Sequence, residues 1–177
     1  MSPHLASPEV GSYEANVSSG TRRWAGRLAW VVCGAVLATL LCRLVSALYD
    51  EGMSARQSVL DFTTDDFRLW QQVVVALVLA PLVETALMAV PLVLARRARI
   101  RPILAVVLVA SVMAGIHMTA DPASGFQVLP AFLVFGYAFV RRAVPPYEDG
   151  FWIATAMHAL YNGLLVVAML ILRYYPP

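Results

Sequence analysis

Apolar residues are grouped along the chain in five long runs, which short polar or charged segments separate. The runs cover about residues 28–48, 70–95, 102–118, 126–140 and 151–172. A helix needs about 20 mainly apolar residues to cross a bilayer, and the first, second and fifth runs are of this length. The third and fourth runs are shorter. The pattern predicts an all-α fold: a polytopic membrane helical bundle of about five transmembrane helices.

The segments outside these runs have different characters. Residues 1–21 are rich in Ser, Pro and Gly and lack apolar periodicity, so we expect a disordered N-terminal tail. Residues 22–177 are then expected to form one membrane domain. The connection at 49–68 is acidic and is expected to be partly helical at the membrane surface. The polar turn at 119–125 is either a plain outer loop or a turn that dips inward around a water-filled pocket.

Composition supports a membrane protein. The chain has 177 residues, of which 60% are hydrophobic and 14% charged, and its mean hydropathy is +0.70. These are too few polar side chains to cover a soluble globule of this size. All thirteen basic residues are Arg, as in proteins of GC-rich genomes, and we expect the plasma (inner) membrane of a bacterium. The lipid bilayer is the expected partner, and no nucleic acid is expected.

The arginines are unevenly divided between the two sides of the predicted bundle. If the tail is cytoplasmic, that side receives Arg22, Arg23, Arg27, Arg96, Arg97, Arg99, Arg101, Arg141 and Arg142. The other side receives Arg56, Arg68 and Arg173. Because cytoplasmic segments carry an excess of basic residues, this distribution predicts a cytoplasmic N-terminus.

Few polar side chains interrupt the apolar runs. Glu84 lies in the second run, His117 near the end of the third, and His158 and Asn162 one helical turn apart in the fifth. A carboxylate at mid-bilayer costs at least about 2.5 to 3.5 kcal/mol, so Glu84 needs a partner, a proton or water. Each residue alone could be a packing or hydrogen-bonding residue. Together, in a chain with almost no other such groups, they predict one shared site.

Hydrolysis is the chemistry that such a site could perform. A carboxylate in apolar surroundings can take a proton from water, and a His bonded to the same water can orient it. A second His and an Asn amide can donate to the oxyanion of a tetrahedral intermediate. Glu84, His117 and His158 would equally suit a divalent metal such as zinc, because two His and one Glu are a common catalytic zinc set. The residue types leave metal-dependent and metal-free hydrolysis open, so the cofactor stays unassigned.

Three short motifs resemble those of the CPBP intramembrane proteases, which include the Rce1-type CAAX prenyl endopeptidases and bacterial relatives (Abi) linked to bacteriocin immunity. The family carries EExxxR, FxxxH and HxxxN on successive membrane helices. Here they correspond to "PLVETALMA", "MAGIH" and "HALYN". The resemblance implies that Glu84 activates water with His117 as its partner. It also implies that His158 and Asn162 are an oxyanion-stabilising or metal-binding pair.

The chain departs from the family pattern at three positions. Thr85 replaces the second Glu, Ala89 replaces the Arg, and Met113 replaces the Phe. We expect an intramembrane endopeptidase that acts on a membrane-embedded protein or peptide, such as a prenylated or lipid-anchored protein. The alternative is an inactive membrane scaffold or bacteriocin-immunity-type protein of the same family, which the losses at Thr85 and Ala89 would suit. A small ion conductor is disfavoured because the polar side chains form no continuous path.

Overall fold

The computed structural model describes residues 10–50, 66–119, 122–143 and 147–174, and all regular structure in these ranges is helical. The helices are α1 (Val10–Asp50), α2 (Asp66–Val74), α3 (Ala80–Arg97), α4 (Pro102–Met118), α5 (Pro122–Arg142) and α6 (Glu148–Tyr174). A π-helical segment, Val75–Leu79, joins α2 to α3 without a break. Residues 66–97 therefore form one long helical rod with a π-helical insertion in it.

The predicted all-α membrane bundle is confirmed. In the described part of the chain, four helical stretches are long and apolar enough to cross a membrane: Trp24–Leu48, Leu69–Arg97, Pro122–Arg142 and Glu148–Ile171. Helix α4 is also apolar but shorter, with 17 residues, and it has the predicted bounds. Its proline stands at the first helical position, where a missing N–H removes no helical hydrogen bond.

Four helix starts lie earlier in the chain than predicted, and one of them is α2, which begins at Asp66 instead of residue 70. Helix α5 begins at Pro122 instead of residue 126, again with a proline in its first turn. Helix α6 begins at Glu148 instead of residue 151, and Glu148 and Asp149 place two carboxylates beside its positive end. Helix α1 begins at Val10 and includes part of the segment for which we expected disorder. Residues 1–9, most of the acidic connection and residues 120–121 lie outside the described residues.

Helix α5 is at the centre of the bundle. It packs against α1, α4 and α6, while α3 packs against α4 and α6. Phe135, Phe139, Met88 and Met157 are the largest fully buried apolar side chains. Many Leu and Val side chains of α1, α3 and α4 are exposed on the outside, as expected for surfaces that contact lipid.

The arginine-rich end of the bundle is held by specific contacts. Arg27 of α1 binds both carboxylate oxygens of Asp149 in α6, at 2.7 and 2.9 Å. Arg96 at the end of α3 donates to the carbonyl of Ala143, just after α5. At the α3–α4 turn, Arg99 adopts a φ of 60°, and the N–H of Ile100 bonds to the carbonyl of Ala95 at 2.9 Å. This is the Schellman-type helix end that usually has glycine in the left-handed position.

Candidate active site

The structure brings three of the four predicted site residues into one cluster. Oε2 of Glu84 lies 3.7 Å from Nε2 of His158 and 3.9 Å from Nε2 of His117. Both distances are too long for a direct hydrogen bond. Separations of this size between polar groups are those at which one water can bridge. The Glu84 carboxylate is thus the common neighbour of two imidazoles from two other helices.

Exposure differs among these three side chains. His158 is buried at 6% exposure, whereas Glu84 and His117 retain 23% and 29%. The neighbours of Glu84 on α3, Val83 and Leu87, are each 56% exposed and lie on the outer surface. The cluster is therefore closed on the His158 side and accessible on the side of α3 and α4.

His117 is oriented by the backbone of its own helix. Its Nδ1 lies 2.9 Å from the carbonyl oxygen of Met113, one turn earlier in α4. Because a carbonyl oxygen can only accept, Nδ1 must carry the hydrogen. Nε2 of the neutral ring then has a lone pair that faces Glu84. The hydroxyl of Ser124 in α5 donates to the carbonyl of His117 at 2.9 Å, so the start of α5 lies beside the site.

Two phenylalanines of α5 hold the histidine rings. The Phe132 ring lies 5.3 Å from that of His117 and 6.0 Å from that of His158. Phe135 stacks on His158 at 4.7 Å with an angle of 25° between the rings. Neither residue was predicted from the sequence to belong to the site. The signal available was their i, i+3 spacing, which places both rings on one face of a helix.

Asn162 has a different contact from the one that the family resemblance implies. Its Nδ2 donates to the carbonyl of Ala76 in the π-helical segment at 2.7 Å. The N–H of Ala80 bonds to the carbonyl of Val75, five residues back. The next donor in that pattern would be residue 81, but Pro81 has no N–H. Asn162 thus donates a hydrogen bond to a carbonyl that has no backbone donor within its own helix. This bond links α6 to the helical rod that carries Glu84.

Thr85, which replaces the second Glu of the family motif, faces the interior. It is 1% exposed, and its hydroxyl has no hydrogen-bond partner among the described residues. A charged carboxylate in the same place would be buried without a compensating group, which costs far more than a buried hydroxyl. The local packing therefore disfavours a charged Glu at this position.

The donor set of Glu84, His117 and His158 suits zinc by chemistry, but the spacing does not match a metal site. Two ligands at about 2.0 to 2.1 Å from one tetrahedral zinc are about 3.3 Å apart, less than the separations of 3.7 and 3.9 Å observed here. In the part of the chain that the structure describes, no group of three His, Cys, Asp or Glu side chains is arranged to hold a metal ion.

Comparison with known families gives one match. Residues 66–164 match the family model described as type II CAAX prenyl endopeptidase Rce1-like. The matched segment covers more than half of the chain, from the first residue of α2 into α6, and includes all four predicted site residues. No curated protein and no solved structure matches the chain. Since the match extends over most of the membrane bundle, the chain belongs to the Rce1-like family of type II CAAX prenyl endopeptidases.

Proposed function

We propose that the protein is an intramembrane endopeptidase in which Glu84 activates a water molecule that hydrolyses a peptide bond. Family membership suggests a CAAX-type intramembrane protease and a membrane-associated protein substrate. The observation that carries the residue assignment is the position of Glu84 Oε2 between the Nε2 atoms of His117 and His158. This arrangement can hold one water between a base and a hydrogen-bond acceptor.

In the first step, the water attacks the peptide carbonyl. The Glu84 carboxylate takes one proton from the water, and the lone pair on Nε2 of His117 accepts the second hydrogen in a hydrogen bond. These two contacts fix the direction of the attacking oxygen. The new C–O bond forms as the π electrons of the carbonyl move onto its oxygen. A tetrahedral oxyanion results.

In the second step, the tetrahedral intermediate breaks down. His158, with its hydrogen on Nε2, donates to the oxyanion. Glu84 returns its proton to the leaving nitrogen, the C–N bond breaks, and a carboxylic acid and an amine are released. One hydrogen and the oxygen of the water end in the acid, and the other hydrogen ends in the amine. Glu84 is then ready for a second turnover.

The surroundings of Glu84 favour a substrate that is itself anchored in the membrane. Val83 and Leu87 expose their side chains beside the carboxylate, so an apolar group can approach without crossing a polar surface. The apolar anchor of a prenylated or lipid-anchored protein could lie against this exposed apolar surface. This supports a lipid-modified protein as the substrate.

We place the protein in a bacterial plasma membrane with its N-terminus in the cytoplasm. The contact between Arg27 and Asp149 brings the start of the apolar part of α1 to the end of the bundle that carries Arg96 and Arg142. The positive charges of three segments are therefore on one side, as the positive-inside rule requires of a cytoplasmic face.

A catalytically inactive scaffold or immunity-type protein is the second candidate. The observation in its favour is that Thr85 and Ala89 stand where the family motif has a charged Glu and a charged Arg. The same experiment separates the two candidates, because only a protease changes the ends of other membrane proteins.

The test is a comparison of peptide termini in membrane proteomes from cells that carry the native protein, Glu84→Gln or Glu148→Gln. Glu148 is an exposed carboxylate in the first turn of α6 and serves as the matched control. Loss of the general base lowers the rate by about 10²–10⁴-fold, so protease-dependent termini should disappear with Glu84→Gln and persist with Glu148→Gln. Identical termini for the native protein and Glu84→Gln would support the scaffold instead.

A further inference from the structure

A cavity of about 520 Å³ lies at the arginine-rich end of the bundle, away from Glu84. It is located between the end of α3, the start of α4 and the end of α5. Its walls are mainly apolar and include Leu92, Ile103, Val106 and Val140. None of the proposed catalytic residues lines this cavity, so the proposed reaction does not use it.

The rim of the cavity is positively charged. Arg96 and Arg141 line it, and none of the described residues that line it is acidic. Arg96 is held in place by the carbonyl of Ala143 and lies 5.9 Å from the centre of the Tyr147 ring. Neither contact neutralises its charge. The positive end of the α4 dipole also begins at this cavity.

Nearby carboxylates do not compensate for this charge. Glu148 and Asp149 are the acidic side chains described at this end of the bundle, and Asp149 already binds Arg27. Glu148 lines a neighbouring groove between α3 and α6 and not this cavity. An anion in the cavity would therefore meet two arginines without a competing carboxylate on the lining.

The apolar part of the cavity opens to the side of the bundle. Ile103 and Tyr137 line it and are 60% and 41% exposed, so its wall continues into the surface that contacts lipid. A ligand with a negatively charged head and an apolar tail would match both parts. We propose that this cavity binds one anionic phospholipid, with its phosphate between Arg96 and Arg141 and an acyl chain along Ile103 and Val106. Basic pockets between membrane helices are a known type of lipid head-group site.

The experiment uses the full-length protein purified in a zwitterionic detergent. Phosphatidylglycerol, phosphatidylcholine and glycerol 1-phosphate are added separately, and binding is followed by the shift in thermal unfolding and by native mass spectrometry. The variants are Arg141→Gln and Arg99→Gln. Both remove one positive charge at the same end of the bundle, but Arg99 does not line the cavity.

Phosphatidylglycerol should raise the unfolding temperature more than phosphatidylcholine and remain bound as one molecule in the mass spectrum. Arg141→Gln should weaken this binding about fivefold, because one basic residue at the surface contributes about 1 kcal/mol to an anionic lipid. Arg99→Gln should leave it nearly unchanged. Equal stabilisation by both lipids, equal losses in the two variants, or glycerol 1-phosphate acting as strongly as the lipid would each overturn the proposal.

Discussion

Asn162 in α6 donates its side-chain amide to the carbonyl of Ala76 at 2.7 Å, across the interface between α6 and the π-helical segment. This carbonyl has no backbone donor because Ala80 bonds to Val75 and Pro81 has no N–H. The contact lies one helical turn from His158 and precedes Glu84 by two turns along the rod. The Asn162 amide therefore adds a specific hydrogen bond to the packing that sets the spacing between Glu84 and His158.

Removal of this amide should therefore lower the free energy of unfolding more when Pro81 is present than when it is replaced. Asn162→Ala leaves the carbonyl of Ala76 unsatisfied, which should lower the free energy of unfolding by about 1–3 kcal/mol and reduce cleavage. In a Pro81→Ala background, a new backbone N–H can reach that carbonyl, and the loss from Asn162→Ala should shrink by about 1 kcal/mol or more. Thermal unfolding and peptide-termini measurements on the four proteins of the cycle check this.

Additive losses would contradict that expectation. If Asn162 acted solely as a donor to the oxyanion, Pro81→Ala would restore neither stability nor activity to Asn162→Ala. The cycle therefore separates a positioning residue from a group that contacts the reacting atoms.

The stacking of Phe135 on His158 predicts a difference between two similar core substitutions. Phe135→Leu and Phe139→Leu each shorten a buried side chain of α5 by a similar volume. Both should lower stability to a similar extent, but Phe135→Leu also removes the ring that orients His158. An aromatic contact of this kind is worth about 0.5–1.5 kcal/mol, so the cleavage rate should fall up to about tenfold in Phe135→Leu alone. Equal rates in the two variants at equal stability would contradict this role.

Arg99 lies in the left-handed region at the end of α3, with a φ of 60°. This conformation costs a residue with a Cβ about 1–2 kcal/mol, and glycine adopts it without that cost. Arg99→Gly should therefore stabilise the protein by about 1 kcal/mol in thermal unfolding, despite the added freedom of the unfolded chain. The control is Arg97→Gly in the last turn of α3, which should be destabilising by about 0.5–1 kcal/mol. A loss of stability with Arg99→Gly would count against the Schellman-type end.

Gly150 allows α6 to approach the end of α5 closely. A Cβ at this position would lie 2.8 Å from the carbonyl oxygen of Phe139 and 2.9 Å from the backbone nitrogen of Ala143. Because backbone atoms cannot move aside easily, Gly150→Ala should lower the unfolding temperature, with a cost of about 1–3 kcal/mol. Gly26→Ala is the control, since a Cβ in that part of α1 meets nothing within 4 Å. It should be neutral or stabilising by up to about 1 kcal/mol. Similar effects of the two substitutions would contradict the close approach.

Hydrophobic patterning predicted the helices because each membrane span must be apolar over most of its length. Helix α4 has the predicted bounds because Pro102 marks its start. The predicted starts of α5 and α6 were four and three residues too late. The residues before them, such as Ala123, Ser124 and Glu148, are small or polar and do not extend the apolar runs. Capping and dipole preferences decide those positions, and they act outside the apolar core of the helix.

The grouping of Glu84, His117 and His158 could be predicted because unpaired polar groups inside a membrane must find each other. The partner of Asn162 could not. It depends on a π-helical insertion, which changes hydrogen bonding by one residue without a sequence signature in the apolar run Val75–Leu79. Phe132 and Phe135 were missed because an aromatic residue in an apolar run can face lipid as well as a site, and the run alone does not distinguish the two.

The hydrogen bond from Nδ1 of His117 to the carbonyl of Met113 has an evolutionary consequence. The ring is oriented by a main-chain atom, which every residue type supplies equally. The side chain at position 113 is therefore not needed to orient the imidazole. It is 3% exposed, so it must only fit the shape of the core around it. A flexible thioether can fill that space in place of an aromatic ring. Residue 113, the first of the second motif, can thus change without loss of the backbone contact that orients His117, its last residue.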